Sequence, residues 1–192
     1  MKLNIIHLPH GDRYPPHRQE RYANLLNELM KEGITDYLIW PGVIKQEPKH
    51  GISQAFKNVV AWAKSCGDKM IAIAEDDICF YGNGGAWEYF LKNIPDDFDI
   101  YTGSYYSGDH NEQLVVKGFR GMTLTIIHER FYDRFLSIPE NCHIDGGCAI
   151  SGAVIKVSPL FVAYQMISYS EQRKRMADDS RKHKNKLKYN GD

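Results

Sequence analysis

The chain has 192 residues, enough for one domain with a hydrophobic core, and its 43% hydrophobic and 25% charged residues are typical of a soluble globular protein. Its 24 basic and 24 acidic side chains cancel, which argues against a nucleic-acid-binding surface. The apolar run near the N-terminus is too short for a signal peptide or a membrane span. Four cysteines without CxxC spacing favour reduced thiols in a cytosol over a zinc site.

The first half of the chain alternates predicted strands and helices. Strands are predicted over residues 3–8, 36–42 and 69–76, and helices over 19–33 and 54–67. Gly33 ends the first helix, and Ser53 is a good N-cap for the second. The third strand is apolar at nearly every position, as expected of a central strand covered on both faces. This order predicts a wound α/β sheet with parallel strands, a class that binds ligands beyond the carboxyl ends of its strands.

The second half is less regular. Further strands are predicted over 98–106, 113–119, 122–128 and 152–157, with a short helix over 129–138. We expect residues 1–170 to form a single domain and residues 171–192 to form a basic tail. In that tail eight Lys and Arg stand against four Asp and Glu, a net charge of +4. A solvated end is the commoner role of such a tail, and contact with an anionic membrane surface is the alternative.

Three consecutive acids, Glu75, Asp76 and Asp77, stand at the end of the third predicted strand, shortly before the glycine-rich stretch YGNGG. Adjacent carboxylates repel one another unless something cancels their charge, and hard cations such as Mg²⁺ and Mn²⁺ do so with oxygen ligands. Usually one or two protein carboxylates bind the cation, and phosphate oxygens and waters complete the shell. The pattern therefore predicts a clamp for a metal–diphosphate, in preference to acids that merely cap a turn.

Two common phosphate-binding signatures are absent. The chain has neither GxxxxGK[ST] nor a GxGxxG after the first strand, which argues against a P-loop enzyme and against a Rossmann dinucleotide site. Phosphoryl transfer and nucleotidyl transfer stay open as alternative metal chemistries, since both use a metal-bound phosphate.

Several segments resemble glycosyltransferases of the GT-A type, which use nucleotide sugars. The strand AIAEDDICF, with the preceding helix GISQAFKNVVAWAK, is most similar to family 25-like enzymes, relatives of lipopolysaccharide-biosynthesis and collagen galactosyltransferases, whose strand ends in ILEDD. Those enzymes have an Arg-containing loop and helix after the first strand, matched here by IIHLPHGDRYPPHRQERYANLL, and later segments matched by HIDGG and VSPLFVAYQ. The likeness covers residues 1–170; Gln54 stands where the family usually has His, and residues 101–150 match least.

The resemblance implies a GT-A-like fold, a nucleotide-diphosphate sugar as donor and a divalent metal, Mn²⁺ or Mg²⁺. It puts Asp77 on the metal and Glu75 on the metal or the nucleotide ribose, while Asp76 contacts the donor sugar or is structural. Arg13, just past the first strand, is a candidate for contact with the base or diphosphate, with a plain surface Arg as the equal alternative. Ser53 starts a helix whose backbone amides would meet an anion, although a plain N-cap is the better single explanation.

Asp145, in the segment NCHIDGGCAI, is the candidate catalytic base. An inverting transferase needs a group that takes the proton of the acceptor hydroxyl, and a carboxylate does this well. A turn residue ahead of two glycines is the alternative. His143 is a candidate third metal ligand or spare base, and a hydrogen-bonded structural His is the commoner role. Tyr105 or Tyr106, in TGSYYSGDH, would stack on a sugar face unless the segment is a plain exposed loop.

These features predict a metal-dependent glycosyltransferase that moves a sugar from a nucleotide sugar to a saccharide acceptor, such as a surface-glycan or lipopolysaccharide precursor. It would work in the cytoplasm, with the tail as a peripheral membrane contact. A non-catalytic GT-A-like module that binds a nucleotide or glycan is one alternative, and a nucleotidyltransferase is another.

Overall fold

The structure, a computed structural model, describes residues 1–170, 175–177, 183 and 186–191. The first half contains β1 (Leu3–His7), α1 (Pro16–Lys31), β2 (Tyr37–Pro41), α2 (Pro48–Cys66), β3 (Met70–Glu75), β4 (Ile78–Phe80) and α3 (Ala86–Lys92). The second half contains β5 (Ile100–Thr102), β6 (Ser107–His110), β7 (Val116–Arg120), β8 (Leu124–His128), a 3₁₀ turn (Glu129–Phe131), α4 (Tyr132–Ser137), α5 (Ile144–Ile150), β9 (Ile155–Val157), β10 (Ala163–Gln165), β11 (Ser168–Ser170) and β12 (Arg175–Ala177).

Six of these strands form a central sheet in the order β2-β1-β3-β8-β5-β9. β1 pairs in parallel with both β2 and β3, and β5 pairs in parallel with β9. β8 alone runs antiparallel, between β3 and β5. The predicted wound α/β sheet is therefore confirmed as a mostly parallel one. Because β8 is reversed, the residues before it lie at the same edge of the sheet where the other strands end.

Helices cover both faces of the sheet, and β3 shows how the sequence alternates between them. Ile71 and Ile73 belong to a buried cluster that includes residues of α2, α4 and α5. Ala72 and Ala74 belong to a second cluster that includes residues of α1 and α3. All four are buried, and each isoleucine contributes about 1.5–3 kcal/mol through its burial. The continuous apolar run thus marks a strand buried on both faces, as predicted.

The second helix begins earlier than predicted, and Ser53 is not its N-cap. α2 starts at Pro48, in the first turn, where a missing backbone N–H costs nothing. A glycine such as Gly51 usually indicates the end of a helix, yet Gly51 lies inside α2. A Cβ at this position would lie 2.0 Å from the Val43 carbonyl oxygen, so the glycine permits a close approach between α2 and the segment after β2.

The last described residues return to the body of the protein. The Phe161 amide donates to the Leu187 carbonyl at 2.8 Å, and the Tyr189 amide donates to the Phe161 carbonyl at 3.0 Å. Residues 187–189 therefore pair with the segment just before β10, although they belong to the predicted tail, part of which lies outside the described residues. Among the described helices, none combines the length and the apolar character needed to cross a bilayer.

Candidate functional site

A cleft opens at the edge of the sheet where β1, β2 and β3 end. Leu8 follows β1 and lines the cleft, as do residues 42–45 after β2 and residues 75–77 at the end of β3. Met122, just before the reversed strand β8, and residues 143–145 at the start of α5 also line it. The cleft lies where α/β sheets of this kind bind ligands, as the sequence predicted.

Glu75 ends β3, and Asp76 and Asp77 follow it in a turn that β10 holds in place. β10 pairs antiparallel with β4, and the Met166 amide donates to the Asp77 carbonyl at 2.7 Å. The Gln165 side-chain amide donates to Glu75 Oε2 at 2.7 Å. This glutamine ends the segment VSPLFVAYQ, which carried part of the sequence resemblance. A segment far along the chain therefore fixes the conformation of the acidic turn.

The middle acid, Asp76, is held by groups of the protein itself. His7 Nδ1 lies 2.7 Å from Asp76 Oδ2, the Leu8 amide donates to the same oxygen at 3.4 Å, and Arg21 donates to Oδ1 at 3.0 Å. His7 Nε2 in turn lies 2.6 Å from His10 Nδ1. Because these partners engage both carboxylate oxygens, the geometry favours the structural role for Asp76 over contact with a donor sugar.

Arg21 of α1 joins Asp76 to Asp77. Its second guanidinium nitrogen lies 3.4 Å from Asp77 Oδ2, and the Arg21 and Asp77 side chains are only 13% and 10% exposed. Although burial opposes the charge, Asp77 and Asp76 raise the pKa of Arg21 above its ordinary value. This permanently charged guanidinium offsets part of the repulsion among the three acids.

The surroundings of Glu75 oppose the ionisation of its carboxyl group. Burial, followed by the charges of Asp77 and Asp76, raises the pKa of Glu75 to about 8. The hydrogen bond from Gln165 and the charge of Arg21 lower this pKa without cancelling the rise. Glu75 is therefore largely protonated at neutral pH in the metal-free protein, and a bound cation would favour its carboxylate form.

The segment between β2 and α2 adds basic and apolar groups to the cleft. Lys45 and Lys49 line it, and Lys49 also pairs with Glu47 at 3.0 Å. Ile44 lines the cleft with 58% of its surface exposed. An exposed apolar side chain beside lysines suits a ligand with a flat ring and an anionic group. Basic side chains from this segment and acids from β3 thus meet in one cleft.

Asp145 lines the cleft from the start of α5 and accepts four hydrogen bonds. The Tyr106 hydroxyl and the Gly121 amide donate to Oδ2 at 3.1 and 3.0 Å. Arg120 and the Gly146 amide donate to Oδ1 at 3.3 and 2.6 Å. The Asp145 side chain is 12% exposed and lines the cleft. These donors fix the orientation of the carboxylate.

Two glycines make room for the partners of Asp145. A Cβ on Gly146 would lie 1.8 Å from an Arg120 nitrogen, and a Cβ on Gly121, where φ is +105°, would lie 2.5 Å from the Tyr106 ring. Asp145 and Gly146 both lie in the first turn of α5. The alternative of Asp145 as a turn residue before two glycines is therefore wrong, because these glycines permit close packing in a helix.

The remaining predicted residues are distributed unevenly around the cleft. His143 lines it, at the residue that precedes α5. Tyr106 also lines it, whereas Tyr105 is buried and its hydroxyl lies 2.7 Å from His110. Arg13 is exposed in the loop before α1, and Ser53 is fully buried in α2. Neither of these last two is among the residues that line the cleft.

The cleft offers a metal ion carboxylates, and a substrate phosphate or waters would supply the other ligands. Within the described part of the chain, no group of three or more His, Cys, Asp and Glu side chains is placed to hold a metal. Glu75, Asp77 and His143 share the cleft without forming such a group. The two carboxylates nevertheless suit the usual mode of Mg²⁺, in which one or two carboxylates and substrate phosphates bind the ion.

Two residues that complete the site were not predicted from the sequence. Arg21 lies three residues after the buried Arg18 and four before the buried Leu25, so it faces the interior of the protein. His7 follows the buried Leu3 and Ile5 at strand spacing, so it shares their face. A buried Arg or His requires a polar partner, so the spacing indicates that both side chains bind polar groups inside the protein, although it does not identify the acids as those groups.

No protein-family model matches the chain, and no curated protein matches its sequence. The fold is similar to the protein A197 from STIV, with a TM-score of 0.53 and 15% identity over 93% of this chain and 95% of that one. It is similar to a mutant Drosophila β-1,4-galactosyltransferase 7 solved with manganese, UDP-Gal and xylobiose, with a TM-score of 0.54 and 10% identity over 98% and 82% of the two chains.

A glucose-1-phosphate thymidylyltransferase from Bacillus anthracis, solved with sucrose, gives a TM-score of 0.51 and 10% identity over 88% of this chain and 87% of that one. At such identities the similarity establishes the fold alone. The expected GT-A-like fold, which nucleotide-sugar transferases and nucleotidyltransferases share, is confirmed. None of these comparisons singles out family 25.

Proposed function

We propose that the protein is a metal-dependent glycosyltransferase that moves a sugar from a nucleoside-diphosphate sugar to a saccharide acceptor. The observation that carries the proposal is a single cleft in which the acids after β3 and the carboxylate of Asp145 meet, although they lie far apart in the sequence. The fold likeness to a galactosyltransferase solved with manganese and UDP-Gal supports it.

In this proposal the donor diphosphate lies between the acidic turn and the segment after β2. Asp77 and Glu75 would hold a divalent cation, which neutralises the charge that develops on the departing diphosphate. Lys45 and Lys49 would add positive charge from the opposite segment. The exposed Ile44 would pack against a flat part of the donor, such as the nucleobase. Arg13 and Ser53, which do not line the cleft, stay predictions for the bound state.

Asp145 is proposed as the base at the acceptor part of the cleft. An acceptor hydroxyl attacks the anomeric carbon, the bond from that carbon to the diphosphate breaks, and Asp145 takes the hydroxyl proton. Four donors already occupy its oxygens, so the acceptor hydroxyl would replace one of them. The Tyr106 hydroxyl is the donor best suited to yield, because it lies on a side chain that itself lines the cleft. His143 would be the spare base.

Turnover of nucleotide sugars tests this proposal. We expect the intact protein to release a nucleoside diphosphate from one donor in the presence of Mn²⁺, and to stop when EDTA removes the metal. Asp77→Asn should abolish turnover, whereas Asp36→Asn, at an exposed acid paired with Lys2, should not change it. If a nucleotide sugar binds but no divalent metal supports its turnover, the protein is instead a non-catalytic binding module.

A nucleotidyltransferase is the second candidate, because the fold likeness to a thymidylyltransferase is about as strong as the likeness to the galactosyltransferase. Both reactions use a metal-bound phosphate in a cleft of this kind. They differ in product, since nucleotidyl transfer from a nucleoside triphosphate releases pyrophosphate. Detecting pyrophosphate from a triphosphate and a sugar phosphate would replace the glycosyltransferase proposal.

The finer parts of the proposal rest on the sequence resemblance. The segments that resemble family 25-like enzymes include the acidic strand and Gln165, and these two contact each other. We extend the proposal to Mn²⁺ as the cation and to an acceptor such as a lipopolysaccharide or other surface-glycan precursor. The cytoplasm is the proposed location, with the basic tail as a peripheral membrane contact.

A further inference from the structure

We infer that Arg21 is a built-in counter-ion that a divalent cation must displace from Asp77, so that the cation binds well only together with the donor diphosphate. This inference rests on the proposed function, because it concerns the same acidic turn. Arg21 is a positioning residue in this account, since it acts through the two aspartates.

The geometry of the guanidinium is asymmetric. Arg21 donates to Asp76 at 3.0 Å, a normal hydrogen-bond distance, but lies 3.4 Å from Asp77 Oδ2. Asp76 is also held by His7 and by the Leu8 amide. The contact to Asp77 can therefore be released while Arg21 stays anchored on Asp76. Asp76 serves as the fixed partner and Asp77 as the exchangeable one.

Burial keeps Arg21 in place beside the cleft. Its side chain is 13% exposed, it lies on the buried face of α1, and it lines the cleft together with the three acids. A long flexible Arg on the surface would move away from an arriving cation. Arg21 lacks this freedom, so its positive charge stays within a few ångströms of any cation on Asp77.

Charge balance then decides what binds. The guanidinium repels a bare divalent cation, and it neutralises one of the carboxylates that would attract the ion. A diphosphate brings its own negative charge and supplies further oxygen ligands, so the cation and diphosphate together compensate one another. The acidic turn is therefore tuned to the metal–diphosphate pair and not to the metal alone.

Titration of the full chain with Mn²⁺ alone, followed by calorimetry, tests the inference without any activity assay. Arg21→Met removes the charge and keeps much of the stem, and Arg21→Lys keeps the charge. Arg18→Met is the matched control, because Arg18 is buried on the same face of α1, contacts the Pro9 carbonyl and the Tyr14 ring, and is not among the residues that line the cleft. Thermal unfolding of each variant checks its fold.

We expect Arg21→Met to bind Mn²⁺ about tenfold more tightly or better than the unaltered chain, while Arg21→Lys and Arg18→Met stay close to it. Adding Asp77→Asn to Arg21→Met should remove the gain. If Arg21→Met does not fold, a double variant, Arg21→Met with Asp76→Asn, removes one positive and one negative charge together and so keeps the charge of the turn balanced. This double variant should bind Mn²⁺ about tenfold more tightly than Asp76→Asn alone.

Unchanged or weaker Mn²⁺ binding by Arg21→Met would overturn the inference and make Arg21 a purely structural residue. The same series includes the unaltered chain with a nucleoside diphosphate and Mn²⁺ together. If that mixture binds while Arg21→Met shows no gain for Mn²⁺ alone, only the inference fails. If neither binds, the proposed function fails and the inference fails with it.

Discussion

Replacing Glu75 with Gln should stabilise the metal-free protein at alkaline pH. Burial and the charges of Asp77 and Asp76 raise the pKa of Glu75 from an ordinary 4.5 to about 8. The folded state therefore holds a proton that the unfolded chain releases near pH 4.5. Between these two values the folded state binds more protons, so its free energy of unfolding falls as the pH rises.

The size of the effect follows from the two pKa values. Their difference corresponds to at most about 5 kcal/mol once Glu75 is fully ionised in the fold, and we expect at least about 2 kcal/mol because neighbouring side chains readjust. The amide oxygen introduced by Glu75→Gln would still accept the hydrogen bond from Gln165, and the new side chain would carry no charge. The variant should therefore lose this part of the pH dependence and keep the rest.

Urea unfolding at about pH 5 and about pH 8.5, with EDTA present, measures the effect. The unaltered chain and Glu75→Gln should differ little at the lower pH, and the variant should be the more stable one at the higher pH. Asp36→Asn, at an exposed acid, is the control and should not change the difference between the two pH values. If the variant has the same stability as the unaltered chain at both pH values, Glu75 is not a protonated acid in the folded state.

Three further predictions concern the site. Gly146→Ala should slow sugar transfer at least about tenfold with little loss of stability, because the new Cβ displaces only the end of the flexible Arg120 side chain. Gly147→Ala should instead lower the free energy of unfolding in urea by about 1–3 kcal/mol, because its Cβ clashes with Ile138. Equal losses of stability in Gly146→Ala and Gly147→Ala would contradict this difference. Tyr106→Phe should lower the free energy of unfolding in urea by about 0.5–1.5 kcal/mol, because Asp145 loses one hydrogen bond, and should leave sugar transfer in place, because the acceptor hydroxyl replaces this donor. Gln165→Ala should raise the pKa of Glu75 further, seen as an upward shift of its titration by NMR.

Local signals in the sequence were sufficient for the first half of the fold and for the acidic turn. The apolar run of β3 ends at Glu75, where the sequence changes from apolar to acidic, and this boundary is visible without any contact information. The acids on β3 and Asp145 were therefore found from the sequence, and the structure brings them to one cleft.

The rest depends on contacts between distant segments. In the sequence, Gly51 and Gly146 resemble residues that end a helix. Only their neighbours in space, Val43 and Arg120, explain why a glycine is needed inside each helix. The reversed direction of β8 is likewise set by its pairing with β3 and β5, and the strand pattern itself carries no direction. Arg13 was predicted and Arg21 was not, because a helix pattern indicates which face of α1 is buried but not which residues that face contacts.

Thermal unfolding with a panel of nucleoside diphosphates, each with and without Mn²⁺, tests most directly whether the cleft is a donor site. A ligand that binds the folded state alone stabilises it by about 2.7 kcal/mol at a hundredfold excess over its dissociation constant. We predict a rise in Tm for one diphosphate that requires Mn²⁺ and that disappears in Asp77→Asn. If no diphosphate raises the Tm under either condition, or if the rise survives Asp77→Asn, the acidic turn does not hold a metal–diphosphate and the account is contradicted.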